Sequence, residues 1–513
     1  MLSSKLSKII FKYKLNINKK SKKFVLLCCR GNFDIAIKIC LIAKILNDKY
    51  NLNPIILYTH NQNSEILKIY KSFGIKKIIK IDIKKIYTKT FFKTVFNTFS
   101  KIFFLIFNNL NNFVNKFSIN RVIFGDLIYD SYLRNKEDFY YPNKFEFNFI
   151  FNIYKTFYIY NFLSNLIKHN NIKRVIVSQF AYSNISTIMA KISLNKKIKT
   201  SLLSGPNFFN IKKSDEFLHP YRVDKKILNE IRFTKKNLKT YKKHLKKRHS
   251  GKLWHQPDNI NAYKNKKKIT VEALKRKLNI KSSTKFKQII LYACHAFKDA
   301  PHSTGPMLFT DYYDALLQTI NHAKKDEKIL WIFKEHPSAY VFGEENYLQK
   351  FFKEEKINNY KNIKICPNNI KTTSIIEIAD KIVTSTSSLG LEAAAFYGKR
   401  PILSGNGYYS KLGFSKDCKS KKEYFESISD YNFKNKLNKK NIQDANKVIF
   451  FIECSLNQTN FGNIFVNQRH KRGNKYIYLK EKKYSEIVYD NFMNNNLFKD
   501  PYYKYLLNKV TNI

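Results

Sequence analysis

From Lys23 onward, short apolar runs alternate with longer stretches in which apolar residues recur every three or four positions. "FVLLCC", "NFDIAIKICLIAKILNDKY", "PIILYT", "SEILKIYKSFG" and "KKIIKID" predict strand, helix, strand, helix, strand, the pattern of a parallel sheet with crossover helices. "NFLSNLIKHNNIKRVIVSQ" and "AYSNISTIMAKISLNKKIKTSLLSG" repeat it. A first Rossmann-like domain is therefore expected over 23–210, behind a basic extension at 1–22 and with an aromatic insertion at about 91–117. Between 211 and 285 the periodicity fades into a basic, polar stretch, read as a linker or helical excursion and assigned no chemistry. Over 286–415 the alternation resumes through "QIILYACHAF", "KILWIFKEHP", "NIKICP", "DKIVTST" and "RPILSG", which predict a second doubly wound domain. Residues 416–513, rich in Asn, Lys and Tyr, read as a helical C-terminal tail. Two such domains imply a cleft between the carboxyl ends of their sheets, an architecture that several enzyme classes share.

Charge changes the picture only in part. The net charge is +56, from 94 Lys and Arg against 38 Asp and Glu. Lysine is accompanied by abundant Asn, Ile, Tyr and Phe, all with AT-rich codons, and the basic residues are spread along the chain. The charge thus points to a polyanionic substrate or surface, such as a sugar nucleotide or an anionic membrane leaflet, and no nucleic-acid partner is expected. The seven cysteines sit mostly in apolar runs and read as reduced core residues, with no metal-binding spacing. Without a secretory signal, a cytoplasmic protein is expected, peripheral on the inner face of the cytoplasmic membrane. No uninterrupted apolar run is long enough to span a bilayer. The stretch from Phe91 to Phe117 has two readings: a helix packed on the core, or a basic aromatic helix lying in a membrane interface.

The chemistry-bearing residues cluster at strand exits. "KILWIF" ends in Lys334, Glu335, His336 and Pro337, where an imidazole can meet a phosphate or sugar oxygen and proline stiffens the turn. "KIVTS" ends in Thr384, Ser385, Thr386, Ser387 and Ser388 before a helix beginning near Leu389, so hydroxyls, free N–H groups and the positive helix end converge on one point. Glu392 follows one turn in, placed to accept from ribose hydroxyls; the plain alternative is a serine N-cap with an acid in the first turn. "CHAFKDAPHSTGP" offers His295, Asp299, His302, Ser303 and Gly305 at another exit, read as hydrogen-bonding rather than metal-binding groups. For an acid or base, Asp126 and Asp130 in "GDLIYDSYLR" stand four apart, on one face of a helix that begins there. The lone Gly31 in "LCCRGNFDIAIKI" makes a strand-to-helix turn with Asn32, not a dinucleotide fingerprint.

"FKEHPSAY" followed by "SSLGLEAAAFYGKRPILSGNGYYSKLGF" resembles the nucleotide-sugar half of bacterial capsule polysaccharide biosynthesis proteins, the group that includes capsular Kdo transferases. The likeness runs from about Ile289 to Phe414. It implies a GT-B glycosyltransferase without cofactor or metal, using a nucleotide-sugar donor such as CMP-Kdo and a polysaccharide or glycolipid acceptor. His336 would stand at the His-Pro position against the nucleotide or its phosphate, Ser387 and Ser388 would hold the phosphate, and Glu392 the ribose. Lys334 would offset phosphate charge, and His295, His302 and Ser303 would line the donor site. The chain departs from the related sialyltransferase pattern in lacking an early paired-acid-glycine motif. Two alternatives stay open: another nucleotide-sugar enzyme of this fold (an epimerase or polyol-phosphate transferase), and a basic nonenzymatic protein binding anionic lipid or nucleic acid.

Overall fold

A computed structural model describes residues 13–18, 20–28, 33–59, 64–81, 89–136, 142–205, 207–212, 219, 221–253, 257–281, 283–456, 462–464, 469–472, 475–478 and 481–511. Gly31 and Asn32, and with them the expected turn after the first strand, lie outside the described residues. The chain divides into two compact units: Met1–Tyr132 with Asn143–Pro220 and Asn457–Ile513, and Leu133–Pro142 with Tyr221–Leu456.

The first unit is built on a six-stranded sheet of β1 (Lys23–Cys28), β2 (Asn53–Thr59), β3 (Lys77–Ile81), β6 (Asn171–Val177), β7 (Lys199–Ser204) and β8 (Asn207–Ile211), in the order β3-β2-β1-β6-β7-β8. A small hairpin, β4 (Ser118–Ile119) with β5 (Val122–Ile123), stands apart from it. The sheet is parallel except for the β7–β8 pair. Its helices are α1 (Phe33–Tyr50), α2 (Ser64–Ser72), α3 (Lys89–Phe107), α4 (Leu110–Lys116), α5 (Gly125–Asn135), α6 (Phe147–His169) and α7 (Ile185–Asn195). In α1 every residue from Phe33 to Asn47 is buried. A helix apolar on all sides needs cover on all sides. The sheet supplies one side, and the C-terminal helices Glu481–Asn494 and Pro501–Thr511 supply another, with Tyr484, Val488, Phe492, Leu506 and Val510 in the same core as α1. Lys38, in the middle of this face, is neutralised by Asp34 at 2.6 Å, and the Tyr484 hydroxyl donates to the same carboxylate at 3.2 Å.

The second unit repeats the plan. Strands β9 (Gln288–Ala293), β10 (Ile329–Lys334), β11 (Ile363–Ile365), β12 (Lys381–Thr384), β13 (Ile402–Leu403) and β14 (Lys416–Asp417) are all parallel in the order β11-β10-β9-β12-β13-β14. Alternation along the strands fills both faces: Ile290, Tyr292, Trp331 and Phe333 enter one core, Leu291, Ala293, Leu330 and Ile332 the other. The helices used below are α8 (Lys235–His249), α9 (Pro257–Tyr263), α10 (Tyr312–Ala323), α11 (Tyr347–Glu354), α12 (Thr372–Ile378), α13 (Ser388–Tyr397), α14 (Lys421–Ser429) and α15 (Lys439–Ile449). Numbered from its own first strand, each sheet has the order 3-2-1-4-5-6, so each has a switch point where the crossovers diverge to opposite faces. The basic stretch after Tyr221 is folded into the second unit, as is the segment following β14 up to Leu456; only residues from Asn457 join the first. Among the described residues no helix is long and apolar enough to cross a membrane, and no disulfide forms.

Candidate functional site at the switch point of the second sheet

The switch point of the second unit lies between β9 and β12, and the loops leaving these strands are tied together there. Thr386 Oγ1 lies 3.0 Å from His295 Nε2 and 3.1 Å from the Tyr312 hydroxyl. The His295 ring is stacked between Tyr312 (centroids 4.3 Å, interplanar angle 14°) and His336 (5.6 Å, 14°), so the exits of β9 and β10 meet in one column of rings, to which Thr386 ties the exit of β12. Burial, and after it the neighbouring His336, hold the His295 imidazole well below its usual range, so this ring is neutral. Its Nδ1 is enclosed without a hydrogen-bond partner. His336 is half-buried, and its Nδ1 accepts from the Ser338 N–H at 3.2 Å, which fixes the ring against its own loop.

Downstream, the hydroxyl cluster divides by role. Thr384 donates to the Ala293 carbonyl, Ser385 bonds Ser404, and Thr386 holds His295, so three of the five hold loops together. Ser387 is the N-cap of α13 and accepts from the Leu389 N–H at 3.2 Å. Ser388 alone is exposed, at the first position of the helix. Gly390 lets α13 begin here: a Cβ on it would stand 2.4 Å from the Tyr409 hydroxyl, which itself donates to the Ser387 carbonyl.

Lys334 ends β10 and is only 8% exposed, yet its ammonium makes no hydrogen bond or ion pair with any described side chain. Burial first and the Lys334 charge second hold the nearby Lys266 amine below the usual lysine value. A buried cation repelling a second cation is a site that an anion stabilises. The loop carrying His302, which is buried, and Ser303, half-buried, turns tightly through Ala300 (φ +41°) and Gly305 (φ +134°). It is held down by Glu344, whose carboxylate accepts from the Phe297 and Lys298 N–H groups at 2.8 and 2.7 Å. Burial pushes the Glu344 carboxyl up to about 7 despite those two donors.

Glu392 is otherwise engaged. It is buried, and its carboxylate receives the Arg248 guanidinium from α8 and the Tyr263 hydroxyl from α9. Arg248 also reaches Glu453, at 3.2 Å, in the π-helical segment Phe450–Leu456, and His244 Nε2 lies 3.4 Å from the same glutamate. Against the pull of burial, the two carboxylates hold the Arg248 guanidinium well above its usual value. The basic stretch, whose sequence shows no chemistry, thus supplies the counterion of Glu392. One signal marks it: Tyr241, Leu245 and Arg248 fall on one helical stripe, so Arg248 stands on the buried face of α8.

In the first unit, Asp126 and Asp130 do share α5. Asp126 forms an ion pair with Lys191 at 2.7 Å and keeps 24% of its side chain exposed, whereas Asp130 is 1% exposed. Among the described residues no three His, Cys, Asp or Glu side chains gather as a metal site.

Comparison with solved structures gives distant likenesses. The beta-Kdo 2,4 transferase KpsC of Thermosulfurimonas dismutans is 11% identical, with 63% of this chain and 88% of that chain covered and a TM-score of 0.33. The UDP-GlcNAc 2-epimerase of Neisseria meningitidis bound to UDP-GlcNAc is 12% identical over 92% of this chain and 100% of its own, with a TM-score of 0.21. The MnaA–UDP complex of S. aureus is 11% identical over 85% and 97%, with a TM-score of 0.23. No curated protein matches the chain. The sequence model of capsule polysaccharide biosynthesis proteins matches residues 206–451, a span that takes in the whole of the second sheet and every residue of its switch-point loops. That match spans just under half of the chain, and over it the chain is similar to capsule polysaccharide biosynthesis proteins.

Proposed function

We propose that the chain is a glycosyltransferase of capsule or other surface polysaccharide synthesis, and that the switch point of the second unit binds its nucleotide-activated sugar. The observation that carries this reading is Lys334, a nearly buried lysine that makes no hydrogen bond or ion pair among the described residues, although its charge is felt by the neighbouring Glu335 carboxylate, beside a paired-histidine column and an open helix N-terminus. A donor phosphate supplies the missing negative charge. As the bond from sugar carbon to phosphate oxygen breaks, charge grows on that oxygen; Lys334, the exposed Ser388 hydroxyl and the α13 N-terminus stabilise it, and His336 contacts the nucleotide or its phosphate. His302 and Ser303 line the donor loop, while His295 and Ser387 hold the framework. Glu392 acts through Arg248 as a positioning residue rather than through the ribose. Asp126, the more exposed of the two aspartates, is the acid or base candidate over Asp130. CMP-Kdo or a similar CMP-sugar is the proposed donor.

Calorimetric titration with CMP-, UDP- and GDP-sugars tests the reading. His336→Ala and Ser388→Ala are each expected to weaken donor binding about ten- to a hundredfold, the worth of one hydrogen bond to a charged group. Asp126→Asn is expected to keep donor affinity and lose turnover. Wild-type affinity in both donor-site variants would remove the site assignment.

A further inference from the structure

Helix α3 carries an aromatic stripe on its exposed face. Its threonines face the protein: Thr94 and Thr98 are buried, and Thr94 Oγ1 accepts from Asn161 of α6 at 3.2 Å. Four of its phenylalanines face away: Phe96, Phe99, Phe103 and Phe107, spaced three, four and four apart on one stripe, are 64 to 82% exposed, while Phe104 packs inward on Phe113 and Phe117 beside the buried Leu105. An amphipathic helix of a globular protein ordinarily turns that stripe inward. The apolar surface continues onto α6, where Phe147 is exposed and stacks on Phe151 with centroids 6.1 Å apart. Lys144 brings the start of α6 to the Phe107 end of α3 by donating to the Leu105 and Asn108 carbonyls. A contiguous aromatic surface of this kind marks an interaction face.

The surrounding charge selects the partner. Residues 83–125 contain six lysines and one arginine and no Asp or Glu. Two copies of a chain with a net charge of +56 would meet here cation to cation, which disfavours self-association through this face. No helix among the described residues is long and apolar enough to cross a bilayer, so a helix with aromatic residues on one exposed side, in a stretch of sequence that has lysines and no acids, suits the plane of the interface. We propose that the exposed face of α3 docks on an anionic lipid membrane, its axis parallel to the surface and its four phenylalanines among the headgroups and outer acyl segments. This goes beyond the transferase reading and involves neither donor nor acceptor.

The test is sedimentation of the full chain with vesicles of phosphatidylcholine alone or mixed with phosphatidylglycerol. Binding is expected to the mixed vesicles and to fall as salt rises, because the lysine contribution is screened. The double variant Phe99→Ser, Phe103→Ser should lower the partition coefficient at least about tenfold, from the lost apolar burial alone, with an unchanged melting curve since both side chains are exposed. Quenching of the introduced indole of Phe103→Trp by brominated lipid is expected as well. Failure of the wild-type chain to bind the mixed vesicles, or equal binding by the double variant, overturns the proposal. So does a loss of self-association in the variant with vesicle binding intact, which would assign the face to a second copy.

Discussion

Glu344 shows how much one side chain can decide without touching a ligand. It joins the exits of β9 and β10 by accepting two N–H groups, and its carboxyl, with a usual value of 4.5, is pushed up to about 7 by burial. The folded state therefore holds this proton at pH values where the unfolded chain has released it. The stabilisation is complete below about pH 4.5 and is lost as pH rises to about 7, a change of about 3 kcal/mol at 1.36 kcal/mol per pH unit. Urea unfolding of the second unit across that window should show the decline, and Glu344→Gln should flatten it; a slope unchanged in the variant would assign the effect elsewhere. Nothing in "GEEN" distinguishes Glu344 from Glu345, because its role arises from a loop some 45 residues earlier in the chain closing over it. His336 was legible for the opposite reason: a His-Pro pair directly after an apolar run is a strand exit in the sequence itself.

At the scale of elements, α8, α9, α13 and the π-helical segment are bound through Arg248 and Glu392. Removing one partner leaves buried carboxylates without their cation, so Arg248→Ala should destabilise the second unit by about 3–5 kcal/mol. The double variant Arg248→Met, Glu392→Leu should recover part of that loss, since the Glu392 carboxylate is no longer stranded and only the more exposed Glu453 loses its guanidinium. Thermal melts of the three proteins check both expectations. The start of α13 was readable as a serine-capped helix, and the cap is observed. Its hydroxyl cluster was not resolvable into roles, because which hydroxyl turns inward depends on the β9, β10 and β13 loops packed around it. Arg248 does not stand out in the sequence because "KKHLKKRH" presents many similar cations, and only the helical stripe through Tyr241 and Leu245 separates the buried one.

For the molecule as a whole, two repeats of strand and helix predicted two parallel sheets, and two sheets form with the same strand order, the first departing only in its antiparallel β7–β8 pair. Strand order could not be read from apolar runs, since periodicity reports which face is buried and says nothing of neighbours. The destination of residues 481–511 was equally hidden. Tyr484, Val488 and Phe492 form a helical stripe that could cover any apolar surface; it covers α1, and Arg174 of β6 secures the last helix by donating to the Val510 carbonyl at 3.0 Å. Deleting 457–513 should therefore unfold the first unit, exposing α1, while leaving the second. Limited proteolysis checks this: a resistant fragment beginning near Tyr221 is expected from the shortened chain, and equal resistance of residues 23–210 would contradict it.

The return of residues 481–511 to α1 also sets a timetable. At the ribosome, α1 emerges before the second unit, but its covering residues Tyr484 to Val510 are made only after the entire second unit. At about 5–20 residues per second the wait is roughly half a minute to a minute and a half. The unit whose sheet is made before the second unit thus finishes folding after it, and during that interval one apolar side of α1 stays uncovered and open to aggregation.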